Sequence, residues 1–559
     1  MHDNADLLID NLNALGVDFV FGVPGGAIEP FFNALARRSA DGPTLVVARH
    51  ETGAAFMAEG YARETGKMGV CCSTTGPGAT NMITGVASAY AEETPLLVIT
   101  AQTALRKFGR NALQESSCTA LDILAMYRHC TRYNTLVSHP EQFATKLRAA
   151  IMAAHRSPPG PAHLSVPSDV FRAEAEAGGE PAVHRLSQRI RSTDAQAVDE
   201  LAELIASARK PVLFLGKDCG EAIGEIVAFA ERTGTPFVSG PGGKRWMDAA
   251  QPLYRGVFGF AGHRLAEQTI HDPNVDLILA VGAQITELGT GGWQAALLGE
   301  RLVHIGASLE HFARTPMARL HVHGDPRLVF ESLNARLMAT SRPPTEPAVL
   351  AVDDPAACRS DAVPLKPQRL MTSLTRRLPE AFRVFVDAGN AWAWCTHYFL
   401  GTRSDGRYHI AMALGSMGWA IGAAVGSAVA SRSATLCITG DGSYLMAGQE
   451  ITVAIEQRVP LVLVVLNDGA LGMVKHGQRL GRSEPIGFGL PAIDFSKIAE
   501  AMGVEGIVIR TPVELEAIDW ARLGAKPGPT LVDVRIDSEE SPPMAQRVKG
   551  LAESGTPGG

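Results

Sequence analysis

Two acidic turns, each ending an apolar run, constrain this chain more than any other feature. Ala434 to Thr439 leads into Gly440-Asp441-Gly442-Ser443, and Leu461 to Leu466 leads into Asn467-Asp468-Gly469-Ala470. A helical segment, Gln449 to Gln457, lies between them. Strand, helix and strand in that order predict two parallel strands joined by a crossover. Parallel strands place their C-terminal ends on one edge, so Asp441 and Asp468 should converge there beside glycines that admit a phosphate to the backbone. Two carboxylates beside a diphosphate site call for a hard cation with oxygen ligands, most simply Mg²⁺. The ordinary alternative is that both aspartates cap helices.

The 559 residues exceed one core, and two to four domains are expected. With 19% charged and 46% hydrophobic residues the chain reads as globular, and a net charge of -7 argues against nucleic acid as its main partner. The eight cysteines form no CxxC pair and read as buried free thiols of a reducing compartment. The first residues lack a basic region followed by an apolar stretch, so no signal peptide is read. The longest weakly polar run, near Met417 to Ala430, falls short of the ~20 residues of a membrane span. A cytoplasmic protein with no membrane partner is expected.

Repeated strand–loop–helix units predict an α/β chain of three doubly wound parallel-sheet domains. Strands are read at Val17 to Phe21, Thr44 to Ala48, Gly69 to Thr74, Pro95 to Thr100 and Ala162 to Val166. A second block has strands at Pro211 to Leu215, Leu277 to Val281 and Leu302 to Ile305. The boundaries are 1–172 for the first domain, 190–340 for the second, 341–367 for a Pro-rich linker, 368–545 for the third and 546–559 for a flexible tail. Residues 173–181 read as a connector. The first and third blocks have the look of a distant duplication of architecture.

Other residues carry two readings each. Glu51 follows a strand and opens a helix, where a carboxylate suits the helix dipole. Gly76-Pro77-Gly78-Ala79-Thr80-Asn81 is not a dinucleotide fingerprint; it is a tight turn or a place where a flat ring approaches the backbone. Gly25-Gly26 carries the same ambiguity. His50 reads as a satisfied neighbour, and Met417, in Gly415-Ser416-Met417-Gly418, as core filling.

These pieces occur in one order in a known family. The chain resembles the thiamine diphosphate-dependent enzymes, and most closely the acetolactate synthase (acetohydroxyacid synthase) group, over nearly its whole length. The resemblance rests on Gly22 to Ile28, Arg49-His50-Glu51, Glu59-Gly60-Tyr61-Ala62-Arg63, Gly76 to Asn81, Gln114-Glu115, Gly415 to Gly418, Gly440 to Ser443 and Leu471-Gly472-Met473-Val474. It implies a pyrimidine-binding domain, a central domain and a diphosphate-binding domain, with thiamine diphosphate held between the first domain of one subunit and the third of another. A homodimer or homotetramer follows. Asp441, Asp468 and the carbonyl of Ala470 are implied as Mg²⁺ ligands, and Gly389, Asn390, Gly442 and Ser443 as diphosphate contacts. Met417 is implied to bend the cofactor, with Gly25, Pro77, Asn81 and Met473 also lining it. Glu51 is implied to bond N1′ of the aminopyrimidine, and Gln114 to lie near substrate.

Three departures accompany the resemblance. The second ligand position, often Asn, is Asp468. The biosynthetic enzymes' Arg-Phe-Asp-Asp-Arg stretch is replaced by Gln284-Ile285-Thr286-Glu287, so the resemblance does not carry FAD over to this chain, and an arginine for the acceptor's carboxylate is lost. The acceptor-selecting tryptophan position is Gly477, which opens the substrate pocket; Lys475 or His476 is read as a replacement charge. The implied activity is decarboxylation of pyruvate or a related 2-oxo acid and ligation of the acyl unit to an acceptor carbonyl. A non-ligating decarboxylase, an acyl-transferring lyase and a non-catalytic cofactor-binding subunit stand as alternatives.

Overall fold

The computed structural model describes residues 2–175, 183–188, 191–336, 346–401 and 405–544. Part of the connector (176–181), the start of the linker (341–345) and the whole tail (546–559) lie outside the described residues.

Three six-stranded sheets account for the fold, and every strand pairing within them is parallel. The continuous apolar runs explain this, because strands such as Leu96–Gln102, Pro211–Leu215 and Leu461–Asn467 are buried along their whole length, as a sheet covered by helices on both faces requires. Numbered within its own block, the first sheet runs 2-1-3-4-6-5, and so does the third. The duplication of architecture read from the sequence is thus a shared strand order. The second sheet runs 3-2-1-4-5-6 in the same numbering, the order of a dinucleotide-binding sheet.

The first and third sheets meet through two helices, Glu51–Thr65 and Trp419–Ser431. The Gly/Ala-rich run of the second helix is there for this packing rather than for a membrane. A Cβ on Gly60 would lie 2.0 Å from the carbonyl oxygen of Ala423, and one on Gly426 2.0 Å from that of Met57. Only glycine lets the backbones approach so closely. No helix among the described residues is long and apolar enough to cross a membrane. The Glu59-Gly60-Tyr61-Ala62-Arg63 motif serves the same junction. Arg63 pairs with Glu59 at 2.6 Å and Glu92 at 3.1 Å and covers the Trp419 ring.

The unit between the acidic turns differs from its sequence reading in one respect. Helical backbone begins at Asp441 itself, in Asp441–Ala447, continues through a 3₁₀ turn, Gly448–Glu450, and ends in Ile451–Gln457. Apolar periodicity shows only the last part; the first turn is set by Gly440 before it and an acid at its positive end.

Candidate active site

Strands Thr435–Gly440 and Leu461–Asn467 pair in parallel with Gly440 opposite Leu466, which delivers Asp441 and Asp468 to one edge. The Asp441 carboxylate accepts the N–H groups of Gly442 (2.7 Å), Gly469 (2.8 Å) and Ala470 (3.3 Å). Asp468 accepts the Ala470 N–H at 3.2 Å. The turn itself is fixed by a short ladder, with Leu471 N–H donating to Phe488 at 2.7 Å and Leu490 N–H to Gly469 at 2.9 Å. Burial pushes Asp441 up to about 6, and burial with the charge of Asp441 pushes Asp468 up to about 7. Lys475, the cation nearest in sequence, turns away and pairs with Glu539 at 2.5 Å.

These aspartates form part of the wall of a cavity of about 1160 Å³ lined by the third and second blocks, with Ala91 and Glu93 of the first at its edge. Gly389, Asn390, Met417, Gly442, Ser443, Ala470, Met473 and Gly477 also line it. Buried Oδ1 of Asn390 and Oγ of Ser443 have no hydrogen-bond partner, which leaves two polar atoms of this wall open to a ligand. Gly389 lies at φ +100, where a Cβ would meet nothing within 4 Å, so its glycine serves backbone conformation. Lys475 and His476 do not line the cavity; both are buried on the far side of helix Gly472–Leu480. The replacement charge read at these positions is therefore corrected: Met473 and Gly477, and Val474 and Gln478, lie four apart on the cavity side of the helix, while Lys475 and His476 fall on the side turned away.

Gly25, Glu51, Pro77, Asn81 and Gln114 gather elsewhere, at the C-terminal edge of the first sheet. Glu51 opens helix Glu51–Thr65, whose N-cap His50 accepts the Thr52 N–H at 3.2 Å. Pro77 opens helix Pro77–Ala91, and Asn81 on its first turn donates to Glu51 at 3.0 Å. A Cβ on Gly78 would lie 3.2 Å from Oε1 of Glu51, one on Gly25 2.6 Å from Thr74, and one on Gly76 3.0 Å from Gln114. Gln114 is exposed at φ +58, and its carbonyl accepts from Thr75 at 2.9 Å. None of these five residues lines the 1160 Å³ cavity. The candidate residues of one chain thus fall into two separate clusters.

Sequence reasoning missed two positioning carboxylates. Asp387, fully buried, accepts from Gly418 N–H (3.0 Å), Ala420 N–H (3.2 Å), Ala388 N–H (3.0 Å) and the Thr439 hydroxyl (2.8 Å). It joins the segments that carry Gly389, Met417 and Asp441. Its signal was an acid ending the apolar run Arg383–Val386. Glu450 accepts the N–H groups of Arg49 and His50, beside Glu51.

The second sheet has its switch point between strands Pro211–Leu215 and Leu277–Val281. The crevice there, lined by Gly216, Gly240 and Gly243, holds about 90 Å³. A Cβ on Gly216 would lie 2.1 Å from the Gly282 carbonyl oxygen, so the two loops close on each other. That is far short of the ~300–1,000 Å³ of an ordinary ligand site.

Comparison with known proteins agrees with this geometry. Residues 2–126 match the thiamine pyrophosphate enzyme N-terminal TPP binding domain, 198–333 the central domain and 387–534 the C-terminal TPP binding domain. The chain is 31% identical to the acetolactate synthase isozyme 2 large subunit of Escherichia coli, over 96% of each chain. It is 30% identical to an acetolactate synthase of Arthrospira platensis, over 95% of this chain and 94% of that one. The crystal structure of benzoylformate decarboxylase from Polynucleobacter necessarius shares the fold at a TM-score of 0.83 and 22% identity, covering 97% of this chain and 100% of that one. The chain belongs to the thiamine pyrophosphate enzymes and is an acetolactate synthase-like member of that family.

Proposed function

We propose that this enzyme is a carboligase that decarboxylates pyruvate, or a related 2-oxo acid, and joins the acyl unit to an acceptor carbonyl. The observation that carries the reading is the cavity wall: buried Asp441 and half-buried Asp468, both raised mainly by burial, beside unpartnered Asn390 Oδ1 and Ser443 Oγ. This donor set fits a divalent cation and the diphosphate it binds. Asp441, Asp468 and the Ala470 carbonyl would hold Mg²⁺, and Gly389, Asn390, Gly442 and Ser443 would hold the diphosphate. Met417 and Met473, on the same wall, would contact the ring system. When bound, thiamine diphosphate supplies an electron sink for the carbon that loses CO₂.

Glu51 would hold a proton at N1′ of the aminopyrimidine, oriented by Asn81 and kept from water by burial. Because Glu51 and Asp441 face different spaces in one chain, a second copy completes each site. A homodimer, or a homotetramer built from such dimers, satisfies this. Gly25, Pro77, Asn81 and Gln114 would then be contributed by the copy that contributes Glu51. The switch-point crevice adjoins the larger cavity at Gln284, Ile285 and Thr286, and no step is assigned to a flavin. The domain limits are taken as 1–172, 190–340 and 368–545, with 341–367 as the linker. Incubation with pyruvate, thiamine diphosphate and Mg²⁺, followed by CO₂ and product analysis, tests the reading. A ligated hydroxyketone supports it; free aldehyde alone would make the enzyme a simple decarboxylase.

A further inference from the structure

We infer that Lys244, in the second block, is a positioning residue for the diphosphate site and acts through helix Asn390–Tyr398; this rests on the reading above that Gly389 and Asn390 hold the diphosphate.

Lys244 sits in a 3₁₀ turn, Gly243–Trp246, just past the switch-point strand Phe237–Ser239, and is 2% exposed. Its ammonium donates to the carbonyls of Cys395 (2.5 Å), Thr396 (3.0 Å) and Phe399 (2.6 Å) and lies 4.9 Å from the centre of the Tyr408 ring. Three N–H donors thus meet three acceptors. Buried His263, also in the second block, holds a further carbonyl of the same helix end. Its Nδ1 accepts the Val257 N–H at 3.0 Å, so Nε2 carries the proton and donates to the His397 carbonyl at 3.1 Å. The last carbonyls of a helix have no partner within it, and a cation there also suits the dipole. Here a different block of the chain meets both needs.

Among the described residues no carboxylate pairs with Lys244, and burial pushes its ammonium down to about 7. An apolar side chain would avoid that electrostatic cost but leave three carbonyls bare. The helix end it holds is what accounts for a charge at this place.

The opposite end of the helix reaches the cofactor cavity, where Gly389, Asn390, Ala391 and Trp392 line the wall. Asn390 Oδ1 is buried there without a partner. Residues from Ala391 to Tyr398 are buried, so the nine-residue helix is a strut roughly 13 Å long, with one end in the cavity and the other locked to the second block. Asp387 ties down the segment before Gly389 through the N–H groups of Ala388 and Gly418; Lys244 is the tie at the far end. A packed helix carries a displacement from one end to the other. Hydrogen bonds to diphosphate oxygens weaken once their donors move by a few tenths of an ångström, so freeing the far end should loosen the diphosphate rather than alter the chemistry.

The test uses the full-length protein. Calorimetry with saturating Mg²⁺ gives the affinity for thiamine diphosphate, and CO₂ release from pyruvate at saturating cofactor gives kcat. Lys244→Met should weaken thiamine diphosphate at least about tenfold, with kcat at saturation within about twofold of the parent's. Arg245→Met is the control: Arg245 is on the same turn, and its guanidinium donates to the Gly406 carbonyl at 2.8 Å, not to the helix. Its affinity should stay within about twofold even where its Tm falls. A folded Lys244→Met with the parent's affinity, or an equal loss in Arg245→Met, overturns the inference and leaves the cofactor reading standing. Should Lys244→Met not fold, Lys244→Gln decides, since its amide keeps two donors without the charge. A loss of at least about threefold then supports the inference, and the parent's affinity overturns it. A parent protein that takes up no thiamine diphosphate overturns the cofactor reading and the inference with it.

Discussion

Glu450 accepts the N–H of His50 at 2.9 Å, and with its other oxygen the N–H of Arg49 at 3.1 Å. A residue that follows the diphosphate-side turn therefore positions the strand end that leads into Glu51, 400 residues away in sequence. Burial is the main cause that pushes Glu450 up to about 7. Above that pH both oxygens accept; below it one carries a proton and cannot. Activity should rise through pH 7 with this group. Glu450→Gln should remove that limb and lower kcat about tenfold, with thiamine diphosphate affinity within about twofold. Calorimetry and pH–rate profiles separate the two effects.

Asp441 and Asp468 give the apo-protein a stability that depends on pH. Both are raised from the ordinary aspartate value, to about 6 and about 7. The unfolded chain therefore loses these protons first, and stability present below about pH 4 is lost as pH rises to 7. The loss should be on the order of several kcal/mol. Mg²⁺ with thiamine diphosphate should reverse it, so the gain in Tm on loading should be larger at pH 8 than at pH 5. Asp468→Asn should flatten the apo profile while leaving cofactor binding within about tenfold, and Asp468→Ala should weaken it at least about 100-fold.

Gly472 has no room for a methyl group. A Cβ there would lie 2.4 Å from Nδ2 of Asn390 and 2.7 Å from Oδ2 of Asp468. Gly472→Ala should push apart a diphosphate contact and a metal ligand, at a cost of ~1–3 kcal/mol. Titration with Mg²⁺ and thiamine diphosphate should show weakened binding, while the far-UV spectrum stays that of the parent.

Asp387 accepts four donors and offers none, so an amide cannot replace it. Asp387→Asn turns an NH₂ toward an N–H or the Thr439 hydroxyl, costing ~1–3 kcal/mol. Denaturant unfolding should show that loss, and cofactor binding should weaken because the Gly389, Met417 and Asp441 segments lose their common tether.

The apolar runs and their glycine-rich ends were legible because a parallel strand buried on both faces needs continuous hydrophobicity. Short edge strands such as Tyr133–Leu136 and Tyr408–Ile410 escaped, since four or three residues give no periodicity. Asp441 and Asp468 could be paired from matching strand ends. Asp387 and Glu450 could not be assigned, because their donors come from segments that only the tertiary fold brings near. Lys475 and His476 were misplaced for the same reason; proximity to Gly477 in sequence says nothing about which helix face each occupies.

The most direct test mixes two inactive variants, Glu51→Gln and Asp441→Asn, after co-refolding them at equal amounts. Each mixed dimer would hold one intact site, so activity should recover to about a quarter of the parent's. Mixtures that remain as inactive as either variant alone, with mixed dimers shown by native mass spectrometry, would contradict a site built from Glu51 of one copy and Asp441 of another.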